Sequence, residues 1–187
     1  TVSQLVDSAS GIHARHNPYY IRTVRGDNKD PLTEFMRESG IPNEPDYLKP
    51  DHTTVFSFPM MAPKGSVCRH DMTAIEQLEI WKIYAKHWCE HKPSVTISVK
   101  EDEWVPVGAW CWDNFQYLSG VSFLPFSDHT YQQAPYQDID EKEYKKLVKK
   151  MPTSIDWQKL QDYEKEDNTK GSQELACTAG VCELVDI

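Results

Sequence analysis

No stretch of eighteen consecutive apolar residues occurs in this chain of 187 residues, so nothing in it reads as a helix that spans a membrane. Nor does it open with a charged segment followed by an apolar one, the pattern of a secretory leader. Positive charge is scarce. Lysine and arginine total 20 against 29 aspartates and glutamates, a net charge of −9, which argues against a general nucleic-acid surface. Cysteine is also sparse, five residues in all, an odd number scattered so that no secreted disulfide framework is suggested. A cytoplasmic setting is the expectation. Low-complexity blocks and internal repeats of fixed period are missing too. What is present, 39% hydrophobic and 11% aromatic residues, is enough for one core and little more.

The chain starts at Thr1 and passes directly into the pattern Val2, Leu5, Val6, Ala9, expected to be a helix ended by Ser10-Gly11. The run Pro18 to Val24, β-branched and aromatic, reads as a strand closed by Gly26-Asp27-Asn28. Pro31 starts a helix that Gly40 stops. A second strand is expected over Thr53 to Met60. Thr73 and Glu76 form a capping-box pair ahead of Met72, Ile75, Leu78, Trp81 and Tyr84, a helical stripe broken at Pro93. Ser94 to Val99 is continuous enough to suit a strand buried on both faces. A helix bearing Val107, Trp110, Cys111 and Leu118 runs to Gly120, and Val121 to Pro125 is another strand. This alternation predicts an α/β fold with parallel strands, a sheet or a segment of a barrel. Asp140 and Glu143 cap a charged surface helix over 141–150, and Ile155 to Tyr163 suggests one more.

Several residue sets could carry chemistry. Thr1 and Ser3 stand at an expected helix start, where unpaired amides and the positive dipole end favour an anion, although an ordinary N-cap is the plainer reading. His13, Arg15, His16, Arg22 and Arg25 flank the first strand and could steer a polyphosphate or simply solvate a strand edge. His87 and His91 have the i, i+4 spacing of two ligands on one helix face, but no third ligand accompanies them, so no metal site is expected. Trp104, Trp110, Trp112, Phe115 and Tyr117 could floor a flat cofactor; helical spacing makes core packing the plainer reading. Cys68, Cys89 and Cys111 are isolated and read as packed thiols. Cys177 and Cys182 differ. They flank Thr-Ala-Gly-Val in a tail preceded by a polar segment, and such a pair suits thiol exchange with a partner disulfide followed by internal resolution.

Taken together, several stretches resemble the C-terminal part of an adenosylcobalamin-dependent (class II) ribonucleotide reductase of the monomeric ribonucleoside-triphosphate branch. They are Thr1-Val-Ser-Gln-Leu, Asp7-Ser-Ala-Ser-Gly-Ile-His13, Pro18-Tyr-Tyr-Ile-Arg-Thr-Val-Arg25, His91-Lys-Pro-Ser-Val-Thr-Ile97, Val105-Pro-Val-Gly-Ala-Trp110, Ser119-Gly-Val-Ser-Phe-Leu-Pro125, Tyr131-Gln-Gln-Ala-Pro-Tyr136 and Glu174-Leu-Ala-Cys-Thr-Ala-Gly-Val-Cys-Glu-Leu184. The resemblance implies part of a ten-stranded α/β barrel, its second half, not closed by this chain alone. Residues 1–139 would belong to the barrel, 140–164 to peripheral helices and 165–187 to a flexible redox tail. Thr1 and Ser3 match the end of the family's phosphate-binding turn, and Cys177 and Cys182 match the pair that re-reduces the active-site disulfide and is recharged by a thioredoxin-like reductant. The radical-forming cysteine, its neighbouring acid and most of the adenosylcobalamin pocket would lie upstream, on an N-terminal portion that partners this chain. Substrates would be ribonucleoside tri- or diphosphates. A motif interrupted just before a threonine also suggests an intein or split-gene junction. The iron-dependent class has a similar cysteine tail, but Val121-Ser-Phe-Leu124 lacks the tyrosine pair that class uses for radical transfer. An independently folded thiol-redox adaptor is the alternative of a different kind.

Overall fold

The structure is a computed structural model that describes Ser3, residues 6–126 and residues 132–165. The order of elements is β1 (Tyr19–Asp27), α1 (Pro31–Glu38), β2 (Asn43–Pro45), β3 (Thr53–Met61), α2 (Ala74–His87), β4 (Val95–Val99), α3 (Trp104–Asp113), β5 (Val121–Pro125), β6 (Tyr136–Asp138), α4 (Glu141–Val148) and α5 (Leu160–Tyr163), with single 3₁₀ turns between several of them. Two compact units divide the chain, one of residues 1–20 and 61–130, the other of residues 21–60 and 131–187. It is a mixed α/β structure, and the described residues do not close a barrel.

The first unit is built on a β4–α3–β5 crossover. β4 and β5 pair in parallel, Val95 opposite Val121 through Val99 opposite Pro125. Gly120 enters β5 with φ +57°, a conformation that favours glycine, and an added Cβ would meet the Pro93 carbonyl oxygen at 3.4 Å. α2 starts as the sequence predicts: the Thr73 hydroxyl accepts from the Glu76 amide, and the Glu76 carboxylate accepts from the Thr73 amide at 2.7 Å. Leu78 and Trp81 of α2 are fully buried with Val95, Ile97, Val99 and Val107. The Trp81 indole N–H is satisfied by the Pro93 carbonyl at 2.7 Å, which ties the end of the helix to the start of β4. Burial of each large side chain in this cluster contributes about 1.5–3 kcal/mol.

β4 is not buried on both faces. Val95, Ile97 and Val99 are buried while Thr96 is exposed and Ser98 half-buried, because the hydroxyl residues occupy alternate positions and only the apolar face meets the helices. The opening helix does not reach Ala9 either. The Ser8 amide donates to the Ser3 carbonyl at 2.8 Å around Asp7, whose φ is +48°, a closure that terminates helices by satisfying a late carbonyl.

The second unit carries a four-stranded sheet in the order β2-β3-β1-β6, with β2 and β3 antiparallel. The short strands β2 and β6 have no strand signal in the sequence; they are three-residue edges fixed by tertiary contacts. α1 begins on Asp30, whose carboxylate accepts from the Leu32 amide, and Pro31 occupies the first turn. Phe35 is buried, with the rings of Trp157 and Tyr163 at 5.4 and 5.5 Å. That contact docks α5 on α1. α4 is capped by Asp140, which accepts from the Glu143 amide at 2.7 Å.

Candidate functional site

The segment from Val6 to His16 in the first unit is held largely by side chains and turns. His13 is its anchor. Its Nδ1 lies 2.7 Å from the Ser10 carbonyl and its Nε2 lies 3.1 Å from the Thr96 amide nitrogen. A carbonyl accepts only, and an amide donates only, so the ring is the neutral tautomer with the proton on Nδ1. One imidazole therefore closes the Ser10-Gly11 turn and covers an open amide of β4.

Further along, the Arg15 amide donates to the Val67 carbonyl at 2.9 Å and the Arg69 amide to the Arg15 carbonyl at 2.8 Å, a one-residue parallel bridge between Arg15 and Cys68. The Arg15 guanidinium is buried and reaches back to the Asp7 carboxylate at 3.1 Å. This pair neutralises Asp7. Asp71 accepts from the Cys68 amide at 2.9 Å and fixes the next turn.

These contacts leave a groove of about 800 Å³, lined by Ile12, Val67, Met72 and Ile75 and by the carboxylates of Asp7, Asp71 and Glu79. Ser8, whose amide is tied to Ser3, lines it as well. Glu79 is already engaged, accepting the Trp110 indole N–H at 2.6 Å. With Glu76 also in the lining, an aliphatic groove with four carboxylates, and with the ion-paired Arg15 and neutral His13 as its basic groups among the described residues, repels a polyphosphate and suits an uncharged group.

Of the residues singled out in the sequence, Ser3 is thus placed beside this groove, half-buried, through its carbonyl. Thr1, Cys177 and Cys182 lie outside the described residues. The basic set around β1 does not gather into an anion site. Arg25 donates to Asp46 at 2.7 Å and to the Gln133 carbonyl at 3.2 Å; Arg22 donates to the Pro135 carbonyl at 3.1 Å and lies over the Tyr136 ring at 4.5 Å. Each side chain holds its own unit together. α2 ends at His87, so His91 is not on the same helix, and no group of three potential metal ligands occurs among the described residues. The aromatics of α3 and of the turn after it divide between two sides: Trp110 and Tyr117 pack on the core, whereas Trp112 and Phe115 are exposed. They make no common floor. Cys68, Cys89 and Cys111 are free thiols, and burial pushes the Cys68 and Cys111 thiols up, away from the reactive thiolate.

The sequence reading missed one polar node. Gln133, at φ +56° and buried, accepts from the Tyr47 amide at 2.8 Å and donates to Glu44 at 2.9 Å and to the Pro45 carbonyl at 2.8 Å. Beside it Asp46 accepts from Arg25 and from the amides of Leu48 and Lys49, and the Arg25 hydrogen bond, ahead of the amide bonds and against the effect of burial, holds its carboxyl below the usual range. In the sequence Gln133 stands within the stretch Tyr131 to Tyr136, but nothing there marks it as a polar node.

No family model matches this chain. It is 34% identical over 164 residues to the probable adenosylcobalamin-dependent ribonucleoside-triphosphate reductase of Dictyostelium discoideum, covering 86% of this chain and 21% of that protein. It is 29% identical over 158 residues to the adenosylcobalamin-dependent ribonucleoside-triphosphate reductase of Euglena gracilis, covering 83% and 22%. A crystal structure of a B12-dependent (class II) ribonucleotide reductase superposes with a TM-score of 0.70 at 22% identity, over 89% of this chain and 23% of that one, and so shares its fold. The chain spans about a fifth of the length of these curated relatives.

Proposed function

Because this chain is homologous, over most of its own length, to one segment of the adenosylcobalamin-dependent ribonucleoside-triphosphate reductases, we propose that it works as the C-terminal part of such an enzyme in the cytoplasm. The observation that carries the proposal is the 34% identity sustained over 164 residues, supported by the common fold. In this reading the chain contributes to a ten-stranded barrel through residues 1–139, to peripheral helices through 140–164 and to a redox tail through 165–187. The reaction is replacement of the ribose 2′-hydroxyl by hydrogen, with the remaining portion of the enzyme as partner.

Thr1 and Ser3 would hold the substrate phosphates through their hydroxyls and the amides of a helix start. Pairing of Asp7 with Arg15 keeps a bare carboxylate away from that anion. The groove behind it, aliphatic and acidic, would hold an edge of an uncharged amide-bearing macrocycle through Ile12, Met72 and Ile75, and most of the cofactor would be held by sequence outside this chain. Bound adenosylcobalamin supplies the one-electron chemistry that starts the reaction.

Each turnover oxidises two thiols of the active site to a disulfide, and Cys177 and Cys182 reverse this. One tail thiolate attacks that disulfide and releases a thiol; the second attacks the mixed disulfide, releases the other thiol and leaves a Cys177–Cys182 disulfide. Two electrons and two protons move to the active site, and a thioredoxin-like dithiol restores the tail. Cys177→Ser and Cys182→Ser are expected to lower thioredoxin-driven turnover by about a hundredfold or more while sparing a single turnover of pre-reduced enzyme. Unchanged thioredoxin-driven turnover in both variants would remove the tail from the mechanism.

A further inference from the structure

Helix α3 carries a single charge, Asp113 at its last position, and is apolar around its whole circumference. Helices of that kind are covered on all sides in the working molecule. Among the described residues only one side of α3 is covered. Val107 is buried and Trp110 and Cys111 pack against the core of α2, β4 and β5, whereas Val105 is 84% exposed, Trp112 82% and Phe115, in the turn that follows, 75%. Val105, Ala109 and Trp112 stand at i, i+4 and i+7, which makes one continuous stripe. The same crossover leaves a second opening. Among the described residues β5 pairs with β4 alone, and Ser122, Leu124 and Pro125 are exposed, although parallel strands are normally flanked and covered.

We propose that the outer stripe of α3, formed by Val105, Ala109, Trp112 and Phe115, docks against the portion of the reductase polypeptide that lies outside these 187 residues. This rests on the reductase reading above. The occupant follows from two observations. About four-fifths of the relatives' length has no counterpart in this chain, which supplies ample protein to cover the stripe. A second copy is the poorer fit, since a two-fold axis would set β5 antiparallel to its own copy, while extension of a parallel pair calls for a strand of different sequence. An uncharged aromatic surface is also the composition of a permanent interface, not of a transient one.

Hydroxyl-radical footprinting of the unsubstituted enzyme that contains this chain, with a tryptophan-bearing reporter peptide as the unprotected standard, decides the matter. Trp112 is expected to be modified at least about fivefold more slowly than the reporter, as a side chain inside an interface core is. Modification at a rate closer to the reporter's overturns the docking, and so does protection lost on dilution of an intact polypeptide, which identifies a second copy. Adenosylcobalamin-dependent reduction is measured on the same preparation. A fast Trp112 in an active reductase overturns only the docking, and a slow Trp112 in a polypeptide that reduces nothing with the cofactor overturns the reductase reading instead.

Discussion

At the scale of single residues, two side chains, His13 and Asp46, fix local geometry that backbone pairing leaves undone. His13 satisfies a carbonyl and an amide with one neutral ring. His13→Ala is expected to cost about 1–2 kcal/mol, read as a lower urea midpoint at constant slope, because it leaves the Thr96 amide to solvent and frees the Ser10 turn. Asp46 makes stability depend on acid. Its carboxyl is held below the usual range, chiefly by Arg25, so its contribution is fully present above the unfolded value of about 3.9 and disappears as the pH falls through the lower folded value. Asp46→Asn is therefore expected to flatten the loss of stability below about pH 4, followed by thermal melts from pH 5 to pH 2. Neither role was legible beforehand. In the sequence His13, Arg22 and Arg25 could either steer an anion or solvate a strand edge, because sequence reveals charge but not partners, and the partners of Arg25 lie 21 and 108 positions away.

Elements were more legible where a cap or a period specifies them. The Thr73–Glu76 box, Pro31 after Asp30 and the run Val95–Val99 each fix an element from a few neighbouring residues, and the structure places them there. β2 and β6 escaped notice since three residues carry no period, and their pairing depends on distant partners. Close packing between β1 and α1 gives a sharper test. A Cβ on Gly26 would clash with the Thr33 hydroxyl oxygen, and Thr33 is buried. Gly26→Ala is expected to destabilise by about 1–3 kcal/mol, and Thr33→Ala in the same chain to recover part of that, so that the two changes are non-additive in a double-mutant cycle of urea titrations. Additive costs would mean the two residues do not touch. Gly120→Ala, at φ +57° against the Pro93 carbonyl, is expected to cost about 1 kcal/mol or more by the same measure.

For the whole molecule, the candidate site is spread beyond what any one element displays. Motif order along the chain resembles that of the reductases, and the Dictyostelium discoideum relative is 34% identical across 86% of the sequence. The groove could not be read in advance, because Ile12, Val67 and Ile75 look like ordinary core residues until the Arg15–Cys68 bridge sets them around an open space. Since the chain spans about a fifth of its relatives' length, the proposed chemistry is tested on the enzyme that contains it. The most direct measurement is the formation of deoxyribonucleoside triphosphates from ribonucleoside triphosphates by the enzyme that contains this chain, supplied with a dithiol and assayed with and without adenosylcobalamin. Product that accumulates over many turnovers only when the cofactor is added is the predicted result; product formed equally without it, or none in its presence from a correctly folded enzyme, would contradict the assignment.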